Sequence, residues 1–499
     1  MGRSNFILKL VCFLPLFLPL IIVVVVVMRG FGYDGFDDFD ESEPPISGNL
    51  FNPVRKPIVK HAMDVYMKRF AKIPDEDGKT AAINCLVPLV DHLFICTRTK
   101  IYEVSPKGRV NLFLDVDAAI KVVTGRSLSI ENLIHGGVRS VAFHPSFSEN
   151  GFFYVSAMEE RPSNPRGFNY ISDVSNHIDA DSVLIEWRTD LTSGKPLINS
   201  YRNLFRIGMP VYDHPIKQIA FYEDLLYIAH GDGSVQSAVA GGGQTGDCLG
   251  KILRINPLQA GSRPYTIPGD NPFLTNRKFP GEVYAIGFRN PHHICFGRDG
   301  TLYAADTGRA NIEEVNIVKS GSNYGWAERE GTFVHTGGGL MSGVDSLPAD
   351  DAKNDFTYPA AQVGHEGPFN AAFIGQAIAG GCPIENGSPM SGHYYYADFP
   401  ISGKLYFSRI PDLRKAKTEG DPAKLTQATT YQANIIYDGK RYKTLGAAMR
   451  SEEGFSLQRR VDVRFGRGSS GELYWSSKRN GRIYLFTSSL PGGKGGPTY

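Results

Sequence analysis

The sequence predicts an all-β protein, a six-bladed β-propeller of four-stranded antiparallel blades, preceded by one N-terminal transmembrane helix. One motif recurs six times: an apolar pair, a turn, and then an aromatic strand. Its spacing of roughly 60 to 100 residues suits four-stranded blades with long insertions. Long stretches with helical periodicity are missing, which disfavours a doubly wound α/β fold. An array of β-sandwiches is the alternative, but the even recurrence of one motif favours a closed ring.

The six copies of the motif each combine strand-forming residues with a turn. Each copy contains aromatic residues, mostly Tyr and Phe, and aromatic residues favour strands. The copies lie at residues 91–95, 142–155, 219–228, 294–303, 394–406 and 463–474, the last one followed by the strand 481–486.

The N-terminal segment is almost wholly apolar from Phe6 to Met28, with Lys9 as its only charge. This length is close to the roughly 20 residues that span a bilayer. Positive charge is slightly greater before the segment than after it, which favours a cytoplasmic N-terminus and a lumenal or extracellular body. The sequence therefore predicts a signal anchor at residues 1–30 and a single-pass membrane protein. The alternative is a long cleaved signal peptide and a secreted product.

Composition divides the rest of the chain into three parts. Residues 31–75 are acidic at first and are predicted to be a flexible stem, with helix expected near His61 to Phe70. Residues 76–487 are predicted to be the propeller. Residues 488–499 are rich in Gly and Pro and are predicted to be a flexible tail.

The charge balance and the cysteines restrict the class of protein. The 53 Lys and Arg residues nearly match the 51 Asp and Glu residues, giving a formal charge of +2, and no basic run stands out as a nucleic-acid-binding patch. The six cysteines contain no CxxC pair, which disfavours a zinc knuckle. Cys85 and Cys96 lie on adjacent predicted strands and could pair; the alternative is buried thiols. Asn386 begins a glycosylation sequon, or an ordinary turn.

The most informative stretch runs from Gly281 to Gly308. Its pattern predicts a strand, a polar corner at Arg289-Asn290, a second strand, a turn at Asp299-Gly300, and a third strand that ends at Asp306. Polar residues at strand ends can be aimed at one point by a rigid sheet, so this stretch is the best candidate for a functional site.

This stretch closely resembles the central signature of the glucose/sorbosone dehydrogenase family. Residues 136–155, 243–256 and 461–484 match further family segments in the same order, so the resemblance covers roughly residues 80 to 486. It implies a six-bladed propeller. Several members oxidise sugars with pyrroloquinoline quinone (PQQ), whereas the family's hedgehog-interacting proteins bind partners without known sugar oxidation. The resemblance therefore specifies the fold better than the chemistry.

The resemblance also implies roles for individual residues. His214 matches the family's general base, which takes a proton from a sugar hydroxyl, and the adjacent Asp213 would fix its tautomer; an ordinary Asp-His-Pro turn is the alternative. Arg289 would stabilise the negative charge of the reduced quinone; the alternative is an Arg289-Asn290 pair that satisfies carbonyls at the end of a blade. The other expected cofactor contacts are His135, Asn290, Thr307 and Arg460.

Calcium is the second cofactor that the resemblance implies. Backbone carbonyls of the loop 306–309, at Gly308 and Arg309, would bind one ion, and Glu314 and Tyr324 would help to hold another. A solvated Glu313-Glu314 pair is the alternative. Arg309 departs from the family pattern, which has a small or neutral residue at this position. A cation there would compete with the metal.

Two further departures concern the quinone. His135 replaces a cofactor-contacting Gln of the glucose oxidisers, and residues 380–387 lack the Lys expected to pair with a PQQ carboxylate. Arg460, Arg464 and Arg467 could compensate from the last blade.

Two functions follow as hypotheses. The first is a membrane-anchored sugar dehydrogenase of the aldose type that depends on PQQ and calcium. The alternative is a noncatalytic propeller, like the hedgehog-interacting branch, that binds an extracellular protein or glycan ligand.

Overall fold

The computed structural model describes residues 54, 58–130, 136–161, 170–171, 180–234, 247–276, 278–309, 311–336, 343–365, 373–375, 377–385, 387–452 and 460–491. All of these residues belong to one compact unit, Gly48–Tyr499. They form an all-β, propeller-like fold.

Four sheets have the size of single propeller blades. The first contains β2 (Cys85–Leu89), β3 (His92–Cys96), β4 (Lys100–Val104) and β5 (Val110–Asp115), in that order; β1 (Val59–Lys72) joins a later sheet. The second has the order β6-β7-β9-β10-β8 and contains β6 (Val138–Phe143), β7 (Phe152–Glu160), β8 (Tyr170–Ile171), β9 (Ala180–Asp190) and β10 (Lys195–Gly208). The third contains β11 (Ile216–Tyr222), β12 (Leu225–His230), β13 (Lys251–Ile255) and β14 (Val283–Ile286).

The fourth sheet carries a small hairpin as an insertion. The sheet contains β15 (Pro291–Phe296), β16 (Leu302–Asp306), β17 (Ile312–Val318), β20 (Ala361–His365) and β21 (Phe373–Gly375). The inserted hairpin pairs β18 (Phe333–Thr336) with β19 (Gly343–Ser346).

The fifth sheet has nine strands and corrects the prediction of six four-stranded blades. Its strands are β1, β22 (Ile378–Ile384), β23 (His393–Asp398), β24 (Leu405–Arg409), β25 (Tyr431–Tyr437), β26 (Lys440–Tyr442), β27 (Val463–Arg467), β28 (Leu473–Ser477) and β29 (Arg482–Pro491). The physical reason is β1, which pairs in parallel with β25 and antiparallel with β29. Because β1 is hydrogen-bonded on both sides, the region is one continuous sheet, and the described residues contain four blade-sized sheets rather than six.

The strand β1 lies within the segment predicted to be a flexible stem. It has 14 residues where helix was expected near His61 to Phe70. At the other end of the chain, β29 continues to Pro491, past the predicted start of the flexible tail.

Helices are few and short. They are α1 (Val116–Thr124), α2 (Phe147–Asn150), α3 (Ile410–Lys415) and α4 (Leu445–Arg450), with 3-10 turns at Asp351–Asn354 and Pro422–Lys424. The longest helix in the described part of the chain has nine residues, whereas crossing a bilayer takes about 20. No described helix is therefore long and apolar enough to cross a membrane. The predicted transmembrane helix and single-pass membrane location are corrected on this finding. The predicted anchor, residues 1–30, lies outside the described residues.

The turn predicted at Asp299-Gly300 is confirmed. It joins β15 to β16, with Phe296 paired to Leu302. Gly300 has a φ of 82°, which glycine adopts without a Cβ penalty. Asp299 Oδ1 accepts a hydrogen bond from the Thr301 amide at 3.2 Å. The polar ends of β15 and β16 are thereby held in register.

Six strands surround the centre of the molecule. β2, β6, β11, β15, β22 and β27 contact each other in a ring in which β27 returns to β2. They come from five sheets, because β22 and β27 both belong to the nine-stranded sheet. Neighbouring β11 and β15 each follow a polar segment, 210–215 and 289–290, so these two segments approach each other at the centre.

Two disulfides cross-link the described strands. Cys85 pairs with Cys96 across β2 and β3. Of the two alternatives left open by the sequence, pairing rather than free buried thiols is therefore present at these residues. Cys295 pairs with Cys382 and so joins β15 to β22 of the central ring. The described Cys248 is a buried free thiol. Disulfides of this kind persist in oxidising compartments.

Candidate active site

His214 lies in the segment between β10 and β11 and is nearly enclosed by the protein. Its side chain is 7% exposed, and its φ of 57° is in the left-handed region, which residues other than glycine seldom adopt. Gly231, just after β12, packs directly against it. A Cβ on Gly231 would lie 2.6 Å from His214 Cβ and 2.9 Å from the His214 carbonyl oxygen. The position of the imidazole therefore depends on a glycine at residue 231.

Asp232 is the carboxylate that orients His214. The distance from His214 Nδ1 to Asp232 Oδ1 is 2.5 Å. The other oxygen, Oδ2, accepts a hydrogen bond from Trp326 Nε1 at 2.9 Å, and the Ser234 amide donates to Oδ1 at 2.9 Å. Both oxygens of Asp232 are thus engaged. The sequence pointed instead to the adjacent Asp213, which is only half-buried.

Burial and the charges around it determine the protonation of this pair. Burial lowers the pKa of His214, and Asp232 offsets this only in part. Burial alone would raise the pKa of Asp232, but contacts with His214, Arg289 and Trp326 outweigh it, and the pKa is lowered. Near neutral pH the pair is therefore a neutral imidazole and an ionised carboxylate. In that state Nδ1 carries the proton donated to Asp232, and Nε2 is the basic nitrogen.

The corner at Arg289 and Asn290 is fixed by its backbone. The Asp306 carboxylate accepts hydrogen bonds from the Arg289 amide at 2.9 Å and from the Asn290 amide at 2.6 Å. The Asp232 amide donates to the Arg289 carbonyl at 2.7 Å. The corner is consequently tied both to the end of β16 and to the carboxylate that orients His214.

The Arg289 side chain crosses from this corner to the loop that follows β16. Its Nη1 donates to the Thr307 carbonyl at 3.0 Å and to the Gly308 carbonyl at 2.6 Å. Its Cζ lies 5.7 Å from the centre of the Trp326 ring, within the range of a cation–π contact. The guanidinium is therefore held between a backbone loop and an aromatic face.

Glu330 holds the other side of that loop. Its Oε1 accepts hydrogen bonds from the amides of Arg309, at 2.8 Å, and Ile312, at 3.0 Å. The loop also packs tightly, since a Cβ on Gly308 would lie 1.8 Å from the Ile312 carbonyl oxygen. Sequence reasoning missed Glu330, because nothing in its local pattern distinguishes it from a solvated glutamate.

Three buried polar atoms around this corner have no hydrogen-bond partner among the described residues: Arg289 Nε, Asn290 Oδ1 and Thr307 Oγ1. Buried polar groups in proteins almost always have partners. Two donor-capable groups and one acceptor at neighbouring positions match a ligand that carries both acceptor oxygens and an N–H or O–H donor. These atoms therefore fit a polar, anionic cofactor such as PQQ.

The predicted calcium site at the loop does not fit. The Thr307 and Gly308 carbonyls accept hydrogen bonds from Arg289 Nη1, so a guanidinium takes the place expected for the ion. The guanidinium of Arg309 is also close to Arg289. Burial and the charge of Arg289 together lower the pKa of Arg309. Two cations beside these carbonyls oppose binding of a divalent cation.

The second predicted calcium site does not fit either. Tyr324 Oη donates to the Ile317 carbonyl at 2.7 Å and accepts from the Lys319 amide at 3.0 Å. The Glu314 oxygens accept from the Gly331 amide at 2.6 Å and from Asn316 Nδ2 at 2.9 Å. In the described part of the chain, no group of three or more His, Cys, Asp or Glu side chains could hold a metal.

Glu314 instead forms a cross-strand pair with Asp306, on β17 and β16. Burial raises the pKa of Glu314 to about 7. Burial and the neighbouring Glu314 raise the pKa of Asp306 well above its usual range. Because two buried carboxyl groups are adjacent, proton uptake by the pair relieves their repulsion.

The remaining predicted contacts lie elsewhere. Arg460 donates from Nε and Nη2 to Asp462 Oδ1 at 3.0 and 2.7 Å, and its Cζ lies 5.7 Å from the Phe399 ring centre. No described contact links Arg460 to Arg289. His135 and Asn386, the first residue of the sequon, lie outside the described residues.

The fold and the site define an all-β, propeller-like protein with a buried histidine–aspartate pair beside a rigid polar loop. A family model described as glucose/sorbosone dehydrogenase matches residues 101–359. The chain belongs to this family.

Known relatives match part of the chain. The HIPL2 protein of Arabidopsis thaliana is 29% identical over 299 residues, which cover 52% of this chain and 42% of that protein. Quinoprotein glucose dehydrogenase B of Acinetobacter calcoaceticus is 25% identical over 245 residues, 46% of this chain and 45% of that protein. The matches thus span less than half of these relatives' lengths.

A solved structure matches more of the chain. The soluble aldose sugar dehydrogenase of Escherichia coli, in its apo form, superposes with a TM-score of 0.55 at 16% identity. The superposition covers 85% of this chain and 99% of that one. At this level of identity the likeness concerns the fold.

Proposed function

We propose that this protein is a sugar dehydrogenase of the aldose type that uses PQQ. The observation that carries the proposal is the buried His214–Asp232 pair beside three buried polar atoms without partners, those of Arg289, Asn290 and Thr307. The similarity to a quinoprotein glucose dehydrogenase supports it. The two disulfides fit a protein that works in an oxidising compartment, where an extracellular sugar is accessible.

His214 is the base in this proposal. Its neutral imidazole donates a hydrogen bond from Nδ1–H to Asp232, keeps that proton, and takes the proton of a sugar hydroxyl at Nε2. The imidazolium that forms is stabilised by the ionised Asp232, which Trp326 holds in place. A base of lowered pKa stays unprotonated near neutral pH, so it is ready when substrate arrives.

Arg289, Asn290 and Thr307 hold the cofactor. When bound, PQQ supplies an acceptor for the hydride of the sugar carbon. The guanidinium of Arg289 supplies positive charge beside it, and Asn290 and Thr307 supply neutral hydrogen-bonding groups. Since Arg289 hydrogen-bonds to the Gly308 carbonyl, which was expected to bind calcium, and the cation of Arg309 lies beside the same loop, we expect PQQ to bind without calcium.

Calorimetric titration of PQQ into the full-length chain, with calcium and with a chelator, tests the proposal. We expect binding in both conditions, and dye reduction when sugars are added to the loaded protein. Absence of PQQ binding by a protein whose near-UV circular dichroism shows native packing would refute it.

A noncatalytic ligand-binding propeller is the second candidate function. The observation that favours it is the position of Arg289 on the loop carbonyls, which removes the predicted calcium site. In that case the folded protein binds neither PQQ nor calcium, and its ligand is a protein or a glycan.

A further inference from the structure

A small cavity lies at the centre of the molecule, where six strands meet. Residues of β2, β6, β11, β15, β22 and β27 line it, and its volume is about 20 Å³. A cavity needs only about 10–15 Å³ to hold one water molecule. The cavity therefore has room for a single small species. His214 and Arg289, the central residues of the proposed active site, are not among its lining residues.

Three cationic side chains line this cavity. Arg139, Lys217 and Arg464 come from β6, β11 and β27, and each is at least nine-tenths buried. Lys478 is also buried, and its charge interacts with all three. His292 and His293 also line the cavity. Burial and the surrounding cations hold the pKa of His292 well below its usual range, and burial and Arg464 lower the pKa of His293 to about 4, so both stay neutral.

The carboxylate whose charge acts on Arg464, that of Asp462, is already engaged by other arginines. Asp462 Oδ1 accepts from Arg460, and Oδ2 accepts from Arg479 at 2.6 Å. Asp213 also acts on Lys217, but it is half-buried and does not line the cavity. The positive charge at the cavity thus exceeds the negative charge that the lining supplies.

Arg464 has an unsatisfied nitrogen at this place. Its Nη1 donates to the Val463 carbonyl at 2.8 Å, but Nη2 has no hydrogen-bond partner among the described residues. The side chain is only 6% exposed. A buried N–H without a partner on a charged group is costly, and a buried charge is normally paired.

Electrostatic repulsion within the cluster agrees with this geometry. Burial and the Arg464 charge lower the pKa of Arg139 to about 9. Burial, Arg139 and Arg464 hold the pKa of Lys217 well below its usual range. A negative charge between these groups would oppose both effects.

We propose that this central cavity binds one small monovalent inorganic anion of the size of chloride. Arg464 Nη2 donates to the anion, and the charges of Arg139 and Lys217 hold it from the neighbouring strands. The anion then links three strands of the central ring that belong to three different sheets. A carboxylate- or phosphate-bearing molecule is too large for this volume.

Thermal unfolding of the full-length protein tests the proposal. We expect the unfolding temperature to rise with sodium chloride and to saturate, but not to rise in the same way with sodium gluconate at equal ionic strength. Arg464→Gln should weaken the chloride dependence at least roughly tenfold, because it removes a charge-assisted donor. Arg263→Gln, at an exposed residue, is the matched control and should keep the full chloride dependence.

Anomalous diffraction from crystals of the unmodified protein in bromide gives a second test that does not depend on a variant. A bromide peak in the cavity beside Arg464 is the expected result. Equal unfolding temperatures in chloride and gluconate would overturn the proposal, as would bromide peaks only at the protein surface.

Discussion

Arg289 Nη1 lies 2.6 Å from the carbonyl oxygen of Gly308. The same nitrogen also donates to the Thr307 carbonyl, so one guanidinium bridges two neighbouring carbonyls, of which that of Gly308 was assigned to calcium by the family resemblance. The positive charge of this site is therefore part of the polypeptide. A metal ion would have to displace a side chain that also contacts Trp326.

Replacing Arg289 tests this arrangement. Arg289→Gln should weaken PQQ binding at least roughly tenfold in the absence of calcium, because it removes the charge beside the cofactor. Calcium should restore part of the affinity, because the two carbonyls become accessible. Arg409→Gln is a suitable control, since Arg409 also lies over an aromatic ring, that of Tyr431, but is exposed on another strand. Calorimetry measures both, and a calcium requirement in the unmodified protein would contradict the prediction.

Asp232 should matter more for the rate than the adjacent Asp213. Asp232→Asn should lower kcat for sugar oxidation by roughly 10²- to 10⁴-fold, because His214 loses the carboxylate that fixes its tautomer and stabilises its cation. Because Asp232 acts through His214, the rate profile against pH should change shape as well. If Asp213→Asn removes activity and Asp232→Asn does not, the orienting role belongs to Asp213.

Gly231 should be intolerant of a methyl group. Gly231→Ala places a Cβ 2.6 Å from that of His214, so the imidazole must move. We expect a cost of about 1–3 kcal/mol in the free energy of unfolding and a larger fractional loss of sugar oxidation. Gly269→Ala is the control, since no atom lies within 4 Å of its Cβ position. Urea denaturation and dye reduction together separate the two effects; equal behaviour of the two variants would contradict the prediction.

Glu314 should make stability depend on pH in an unusual direction. Its pKa is raised from 4.5 to about 7 in the folded protein, so the folded state binds the proton more tightly than the unfolded state. Stability should therefore fall as pH rises from about 4.5 to about 7, and the penalty should persist above that range. Glu314→Gln should reduce this loss.

Urea denaturation at about pH 5 and about pH 8 measures the effect. Glu149→Gln, at an exposed residue of α2, serves as the control. An unchanged difference between the two pH values in Glu314→Gln would show that Glu314 does not titrate in this range.

Local sequence patterns predicted the elements that carry the site, but not how distant segments complete it. The turn at Asp299-Gly300 and the polar corner at Arg289-Asn290 follow from short-range signals. Asp232 lies 18 residues from His214, and Trp326 lies 94 residues from Asp232. The position of Asp232 just after β12 was an available signal, since polar residues at strand ends were already used to find Asp306. Trp326 had no comparable local signal.

The prediction of six separate blades was wrong for the same reason: it depended on a contact between distant segments. Each motif copy predicts a pair of strands, but β1 has no motif of its own and its partner β25 lies more than 360 residues further along the chain. Pairing at that separation is decided by tertiary contacts, which outweigh local preference for strand or helix. The stem prediction therefore missed a strand that changes how the last sheet is organised.

The position of β1 between β25 and β29 has a consequence for biosynthesis. On the ribosome, residues 59–72 emerge among the first of the described residues, whereas one of their two partners, Arg482–Pro491, is among the last. A nascent chain must therefore keep an incomplete edge available until translation is nearly finished, and such edges are prone to pair with other chains. Loss of β29 by premature termination and loss of β1 by deletion should then produce the same kind of defect, an unpaired strand edge within the nine-stranded sheet.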